Sequence, residues 1–249
     1  MNMVNAPKIS TLLPQISEKI LHFFILVDST KCMKSNGEVE VFSVALQNAI
    51  QELIRMQERN EGYVFKISIM TFDQDIKWIS DSIEVAKYEY SSINVCDYSQ
   101  ANYAKVFTEL NNKLKKKEIM TGRIVKPFIT LIMGSESNGD NWEQHISDLL
   151  KNRLFVFAHR IVILAGDDCC NSTEINRIAK IFVGNGENII SGMGERTLVD
   201  AIIQEETRRT NPHQKKIELN TEEESDKSYG DENVQYELCD KCWENDDFI

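Results

Sequence analysis

The sequence has no surplus of positive charge. Lysine and arginine number 28 against 39 aspartates and glutamates, a formal net charge of −11. A phosphate backbone requires a basic surface, so nucleic acid is excluded as the main partner. Long apolar runs are missing too. ILHFFILV, ending at Val27, is too short to span a bilayer and runs straight into Asp28, which leaves no expected membrane contact. Nothing near the start resembles a secretory signal. The six cysteines therefore read as reduced thiols of a cytoplasmic protein, and the sequon at Asn171 has no consequence there. No Gly-x-x-x-x-Gly-Lys-Ser/Thr phosphate loop is present. MGSESNG lacks the Gly-x-Ser-x-Gly spacing of a nucleophile elbow. The four histidines (His22, His145, His159 and His213) have no metal-ligand spacing and are expected in surface or edge roles.

What is present suits one large domain and a tail. Of the 249 residues 42% are hydrophobic, enough for one sizeable core. HFFILV (22–27), PFITLIM (127–133) and HRIVILAG (159–166) are continuous apolar runs, the pattern of strands buried on both faces. YVFKISIMTF (63–72) and IKWI (76–79) flank DQD and predict an antiparallel hairpin. Helical spacing marks 38–56, 102–117, 141–152, 173–180 with Thr173 as its cap, and 197–207; NIISG (188–192) is a last short strand. Lys115, Lys116 and Lys117 read as a C-terminal charge device that complements the helix dipole. Strands alternating with helices imply an α/β domain: a doubly wound, mostly parallel sheet with one antiparallel edge strand. The expected organisation is an N-terminal extension over 1–20, where TLLPQISEKI has the makings of a short helix, the domain over 21–207, and a flexible acidic tail over 208–249.

One stretch suggests a site. In ILVDSTKCM a buried strand ends on the carboxylate of Asp28, followed by the hydroxyls of Ser29 and Thr30. Several α/β folds begin a metal or phosphate site in this way; the same residues also suit plain loop and cap hydrogen bonds. In open α/β sheets, ligands sit beyond the carboxyl ends of the strands. That directs attention to the loops at 28–37, 97–103 and 134–141.

Taken in order, ILVDSTKCM, ISIMTFDQDIKWI, PFITLIMGSESNGDNWEQ and RIVILAGDDCCNSTEINRIAK resemble a von Willebrand factor A (vWA) domain over about residues 20–205. The nearest type is the compact bacterial one associated with tellurium resistance, TerY-like. The resemblance implies a metal-ion-dependent adhesion site of Asp-x-Ser-x-Ser, a threonine and an aspartate, holding Mg²⁺ with hard oxygens. Carried over by position, Asp28 matches the first aspartate and Thr30 the first serine. Cys32, a soft thiol, takes the place of the second serine. Ala101, or Asn102 after a one-residue shift, takes the place of the threonine, and Ser135 that of the last aspartate. These substitutions make the site degenerate. Mg²⁺ stays open as a ligand in a rival reading, with Glu136 or Asp140 replacing the missing carboxylate.

Asp28-x-Thr30 also has the outline of a haloacid-dehalogenase-type nucleophile loop, but that chemistry needs an acid where Thr30 stands. Asp167 and Asp168 read as helix-start acids, and Cys169 and Cys170 as structural. In the tail, Cys239 and Cys242 form a Cys-x-x-Cys pair that suits two of the four ligands of Zn²⁺, a redox pair, or a partner-binding segment. Tyr236, Trp243 and Phe248 set among acids suit a peptide that folds on a partner. The expectation is a non-enzymatic protein-interaction module. It would bind another protein of the same bacterial stress or phage-defence type of system through Ser29, Lys31, Asn102, Glu136 and Asp140, through the tail, or through both.

Overall fold

The computed structural model describes residues 18–35, 37–116, 119, 123–139, 141–165, 171–184, 188–192 and 194–210. Two ten-residue strands, β1 (Lys19–Asp28) and β2 (Tyr63–Phe72), pair in parallel from Lys19 beside Tyr63 to Asp28 beside Phe72. Phe23, Ile25 and Val27 enter one core layer, Phe24 and Leu26 the other. This is the two-residue alternation of a strand covered on both sides. Helices α1 (Lys31–Ser35) and α2 (Glu38–Arg59) connect the two strands, and α2 buries a stripe through Phe42, Leu46, Ala49, Leu53 and Met56.

The strand β3 (Ile76–Glu84) turns back antiparallel on β2. The turn is closed by Asp73, whose Oδ1 accepts from the Asp75 N–H at 2.9 Å. A 3-10 turn (Val85–Lys87) and a loop then lead to α3 (Tyr103–Leu114) on the opposite face. Next, β4 (Arg123–Ile124) and β5 (Phe128–Met133) both lie along β1. They amount to one strand interrupted before Phe128, where Pro127 has no N–H to donate. The chain continues through α4 (Trp142–Leu149), α5 (Arg153–Phe157), β6 (His159–Leu164), α6 (Thr173–Val183), β7 (Ile189–Ser191) and α7 (Thr197–Thr210).

The sheet order is β3-β2-β1-β5-β6-β7, parallel except for β2–β3. Helices α2 and α7 cover one face and α3, α4, α5 and α6 the other. The chain leaves β1 toward β2 on one side and reaches β5 on the other, so β1 and β5 flank a topological switch point. Asp28 ends β1 there, facing Gly134 and Ser135 just beyond β5.

Several details differ from the sequence reading. The second hairpin strand runs to Glu84, because Ser82 adopts a left-handed φ of 53° and its N–H donates to Ser68 Oγ (2.9 Å), absorbing a bulge. Helix α3 stops at Leu114, and the lysine in its last turn is Lys113, buried and paired with Asp81. The predicted 141–152 helix ends at Leu149, where Lys151 and Asn152 turn back onto Asp148 and Leu149, and Asn152 Oδ1 caps α5 at Leu154 N (3.0 Å). Ser172, not Thr173, caps α6. His22 is no surface residue. It is 5% exposed, stacks on Phe24 with centroids 4.3 Å apart, and shares a hydrogen bond with Ser68 at 2.9 Å. Lys19 and Ile20, expected at the end of a short helix in the N-terminal extension, already belong to β1, and the last helix runs to Thr210, three residues past the expected end of the domain at 207. The part of the expected N-terminal helix before Glu18, the residues 166–170 and the tail after Thr210 lie outside the described residues.

Candidate functional site

Asp28 closes β1 as a buried carboxylate, 1% exposed. Both its oxygens accept hydrogen bonds from the protein. Oδ1 takes the Thr30 N–H at 2.8 Å, and Oδ2 takes the Gly134 N–H at 3.0 Å and the Ser135 hydroxyl at 2.6 Å. Burial pushes the Asp28 pKa up; the Ser135 hydroxyl and the Thr30 and Gly134 amides oppose that rise. Thr30 Oγ1 lies near enough to favour the ionised form, yet it is buried without a hydrogen bond of acceptable geometry. The carboxylate thus ties the end of β1 to the loop after β5.

The three loops singled out from the sequence are joined by backbone contacts. Lys31 N–H donates to Tyr98 O (2.8 Å) and Cys96 N–H to Ser29 O (2.9 Å). Ala101 N–H donates to Glu136 O and Asn138 N–H to Ala101 O, both at 2.9 Å, forming a short bridge between Ala101 and Ser137. Beneath them the Tyr103 hydroxyl donates to Ser135 O (2.8 Å). Asn138 Nδ2 donates to Gln74 Oε1 (2.7 Å), bringing the β2–β3 turn into the same crown. On the α6 side, Glu136 Oε1 accepts from the Ser172 hydroxyl (2.8 Å), and Glu174 accepts from Ser137 N–H and Trp142 Nε1–H, both at 3.3 Å.

The residues expected at the site have unequal standing in this crown. Asp28, Thr30 and Ser135 come together. Ser29 is buried, its hydroxyl donating to Phe72 O (3.0 Å) and Asp73 Oδ2 (3.3 Å), so it presents no side chain to a partner. The Cys32 thiol donates to Ser99 O (3.4 Å). Ala101 is fully buried, and Asn102 Oδ1 caps α3 by accepting from Lys105 N (2.9 Å). Lys31 and Glu136 are exposed. Asp140, Cys239, Cys242, Tyr236, Trp243 and Phe248 lie outside the described residues. Sequence reasoning passed over Tyr98, which is 56% exposed on the crown; an aromatic within the polar stretch CDYSQ was the available signal.

Mg²⁺ takes about six hard oxygens in a near-ideal octahedron. Around Asp28 the hard side-chain donors are its own carboxylate, already engaged three times, Ser135 Oγ, which is bonded to it, and Thr30 Oγ1. Met33, 1% exposed, packs its thioether over Gly134, where a Cβ would stand 2.5 Å from Met33 Sδ and 3.6 Å from Asp28 Oδ2. At the position carried over for the second carboxylate, Ser135 offers only a hydroxyl that is already spent on Asp28, and beside it Met33 presents a soft thioether. Among the described residues, no three His, Cys, Asp or Glu side chains gather where a metal ion is held. These residues do not fit the ion.

No protein-family model and no curated protein matches the sequence. Solved structures do match in shape. A von Willebrand factor type A protein from Catenulispora acidiphila superimposes with a TM-score of 0.51 at 10% identity, over 74% of this chain and 41% of its own. The ArnB paralog VWA2 from Sulfolobus acidocaldarius gives 0.50 at 18% identity, over 73% and 44%. Proximal thread matrix protein 1 from the mussel byssus gives 0.48 at 12% identity, over 76% and 45%. The chain spans less than half the length of these proteins. Its fold is the von Willebrand factor A fold, with Asp28 at the switch point of the sheet. No helix among the described residues is long and apolar enough to cross a membrane.

Proposed function

We propose that the chain is a non-enzymatic protein-interaction module that binds through the loop crown without a metal ion. One observation carries this reading: the Asp28 carboxylate accepts three protein donors at 2.6–3.0 Å, which leaves it committed to holding the crown together. Around it, Lys31, Tyr98 and Glu136 offer a cation, an aromatic ring and an anion on a surface already ordered by backbone hydrogen bonds. Pre-ordering of this kind lowers the entropic cost of binding. A phosphotransferase reading lacks its second acid, since Thr30 stands in that place. The partner we propose is another protein of a bacterial stress or phage-defence system of the TerY-like kind, in the cytoplasm, on the ground of the sequence resemblance alone. The tail, with Cys239 and Cys242 as a zinc or redox pair or as part of a docking peptide, is a second proposed contact.

Calorimetric titration of the metal-stripped protein with Mg²⁺ and Mn²⁺, beside the Asp28→Ala variant, tests the metal-free reading. The expected result is no saturable heat at millimolar metal. Capture of a partner should then survive chelator and be lost on Lys31→Glu or Glu136→Lys. Saturable binding that vanishes in Asp28→Ala would restore the adhesion-site alternative, in which the ion recruits a partner's carboxylate.

A further inference from the structure

The acidity of this chain is not spread evenly. Between Asp148 and Asp167 the sequence holds no acidic residue, while Lys151, Arg153, His159 and Arg160 fall there. The same stretch exposes large apolar side chains: Leu150 at 37%, Val156 at 46% and Phe157 at 48%. These are not frayed ends. Asn152 caps α5, which turns Phe155 into the core and leaves Val156 and Phe157 in solvent.

Two contacts define their surroundings. Asn152 Nδ2 donates to Asn111 Oδ1 (3.0 Å), and Asn111 Nδ2 donates to Asp148 O (3.4 Å), which joins the end of α3 to the α4–α5 corner. Lys115 follows Asn111 by one helical turn on the same stripe and is exposed. On α5, the Val156 N–H donates to Asn152 O (3.0 Å), while Arg153 and Phe157 share the neighbouring stripe. Lys151 is 70% exposed, and the acid at this corner, Asp148, is already paired with it at 2.7 Å. Helix α3 starts at the crown and runs away from it, and α5 feeds the beginning of β6. The corner therefore lies at the opposite end of the sheet from Asp28.

We propose that this α3–α5 corner is a second docking surface, for a segment of a partner protein that carries acidic side chains beside an apolar anchor. The anchor lies on Val156 and Phe157, and the carboxylates reach Lys115, Lys151 and Arg153. Charge complementarity argues for this occupant: on a chain of net charge −11, a basic rim around exposed apolar residues attracts acidic segments and disfavours basic ones. A bilayer fits less well. α5 has five residues, far from the long amphipathic helix that lies in an interface, and the net charge opposes anionic lipid. This surface stands independently of the crown and of its metal chemistry.

The test is selection of a phage-displayed random peptide library on the full chain, followed by fluorescence anisotropy of the enriched peptides. The variants are Lys115→Gln/Lys151→Gln/Arg153→Glu and Val156→Ser/Phe157→Ser, each compared with the wild type by thermal midpoint. Acidic peptides with an aromatic or aliphatic residue should be enriched, and each variant should weaken them by about tenfold or more with an unchanged midpoint, while Lys31→Glu on the crown leaves them unaffected. Enrichment without acidic bias, or affinities that ignore both variants, would overturn the proposal. So would binding to phosphatidylserine vesicles, or self-association, that is lost in the same variants without any acidic peptide being selected.

Discussion

Removing the Asp28 carboxylate takes one acceptor away from three buried donors. In Asp28→Ala the Thr30 and Gly134 amides lose their partner, at about 1–3 kcal/mol each. Loss of a buried carboxylate whose pKa is raised by desolvation offsets part of that cost. The net expectation is destabilisation of about 3 kcal/mol. Asp28→Asn keeps the shape but turns an N–H₂ toward one set of donors, so it should cost nearly as much. Ser135→Ala removes one bond to a charged group, about 1.5–3 kcal/mol. Because the two side chains touch, the Asp28/Ser135 double-mutant cycle should show a coupling on the order of 1 kcal/mol. Urea unfolding followed by tryptophan fluorescence measures each corner of the cycle, once in chelator and once in millimolar MgCl₂. A carboxylate satisfied by the protein gives the same values in both. A coupling that appears only with Mg²⁺, or an Asp28→Ala variant more stable than wild type in chelator, would refute the reasoning, since both are signs of a charge waiting for an ion.

Three further outcomes are expected. Burial, with the charges of Lys113 and Lys66, lowers the His22 pKa from 6.5 to about 3. The unfolded chain therefore takes up a proton that the folded chain refuses, and stability is lost as pH falls from about 6.5 toward 3, by up to about 1.4 kcal/mol per pH unit. His22→Gln keeps a partner for Ser68 and should flatten that slope; an unchanged slope in urea midpoints across the range would show that His22 is not its source. Gly134→Ala drives a Cβ to 2.5 Å from Met33 Sδ and should cost about 1–3 kcal/mol, with Met33→Ala/Gly134→Ala costing less than the sum of the single changes. Additive costs in chemical denaturation would mean that the two do not meet. Ser172→Ala removes the α6 cap and the donor to Glu136, at about 1 kcal/mol by thermal unfolding. Hydrogen exchange at the Ala101 and Asn138 amides should quicken with it, and unchanged exchange there would separate the α6 cap from the crown.

The sheet was legible because its central strands are buried on both faces, so HFFILV, PFITLIM and HRIVILAG stand out as largely apolar runs whatever the loops do. What escaped was set by contacts between distant segments. Nothing local shows that His22 will be buried beside Ser68, 46 residues away, or that the 141–152 helix stops because Asn152 caps α5 and bonds to Asn111. The candidate site divides along the same line. Its position was readable, since Asp28 ends a strand at a switch point and the ordered motifs pointed to the same three loops. The hydrogen bonding within it was not, because that depends on Met33 packing over Gly134 and on Ser135 donating to Asp28 across 107 residues of sequence.

That division bears on what Asp28 does. A lone buried carboxylate is costly unless it is matched by a cation or by several hydrogen bonds. With two amides and a hydroxyl aimed at it, Asp28 meets the second condition inside the protein. Those same bonds tie β1 to the β5 loop, and the backbone contacts of Lys31, Ala101 and Asn138 extend the tie to the third loop. An ion held at such a place would order the loops only while bound. A carboxylate satisfied by the chain orders them at every metal concentration, so the proposed crown should engage its partner with an affinity that does not follow Mg²⁺.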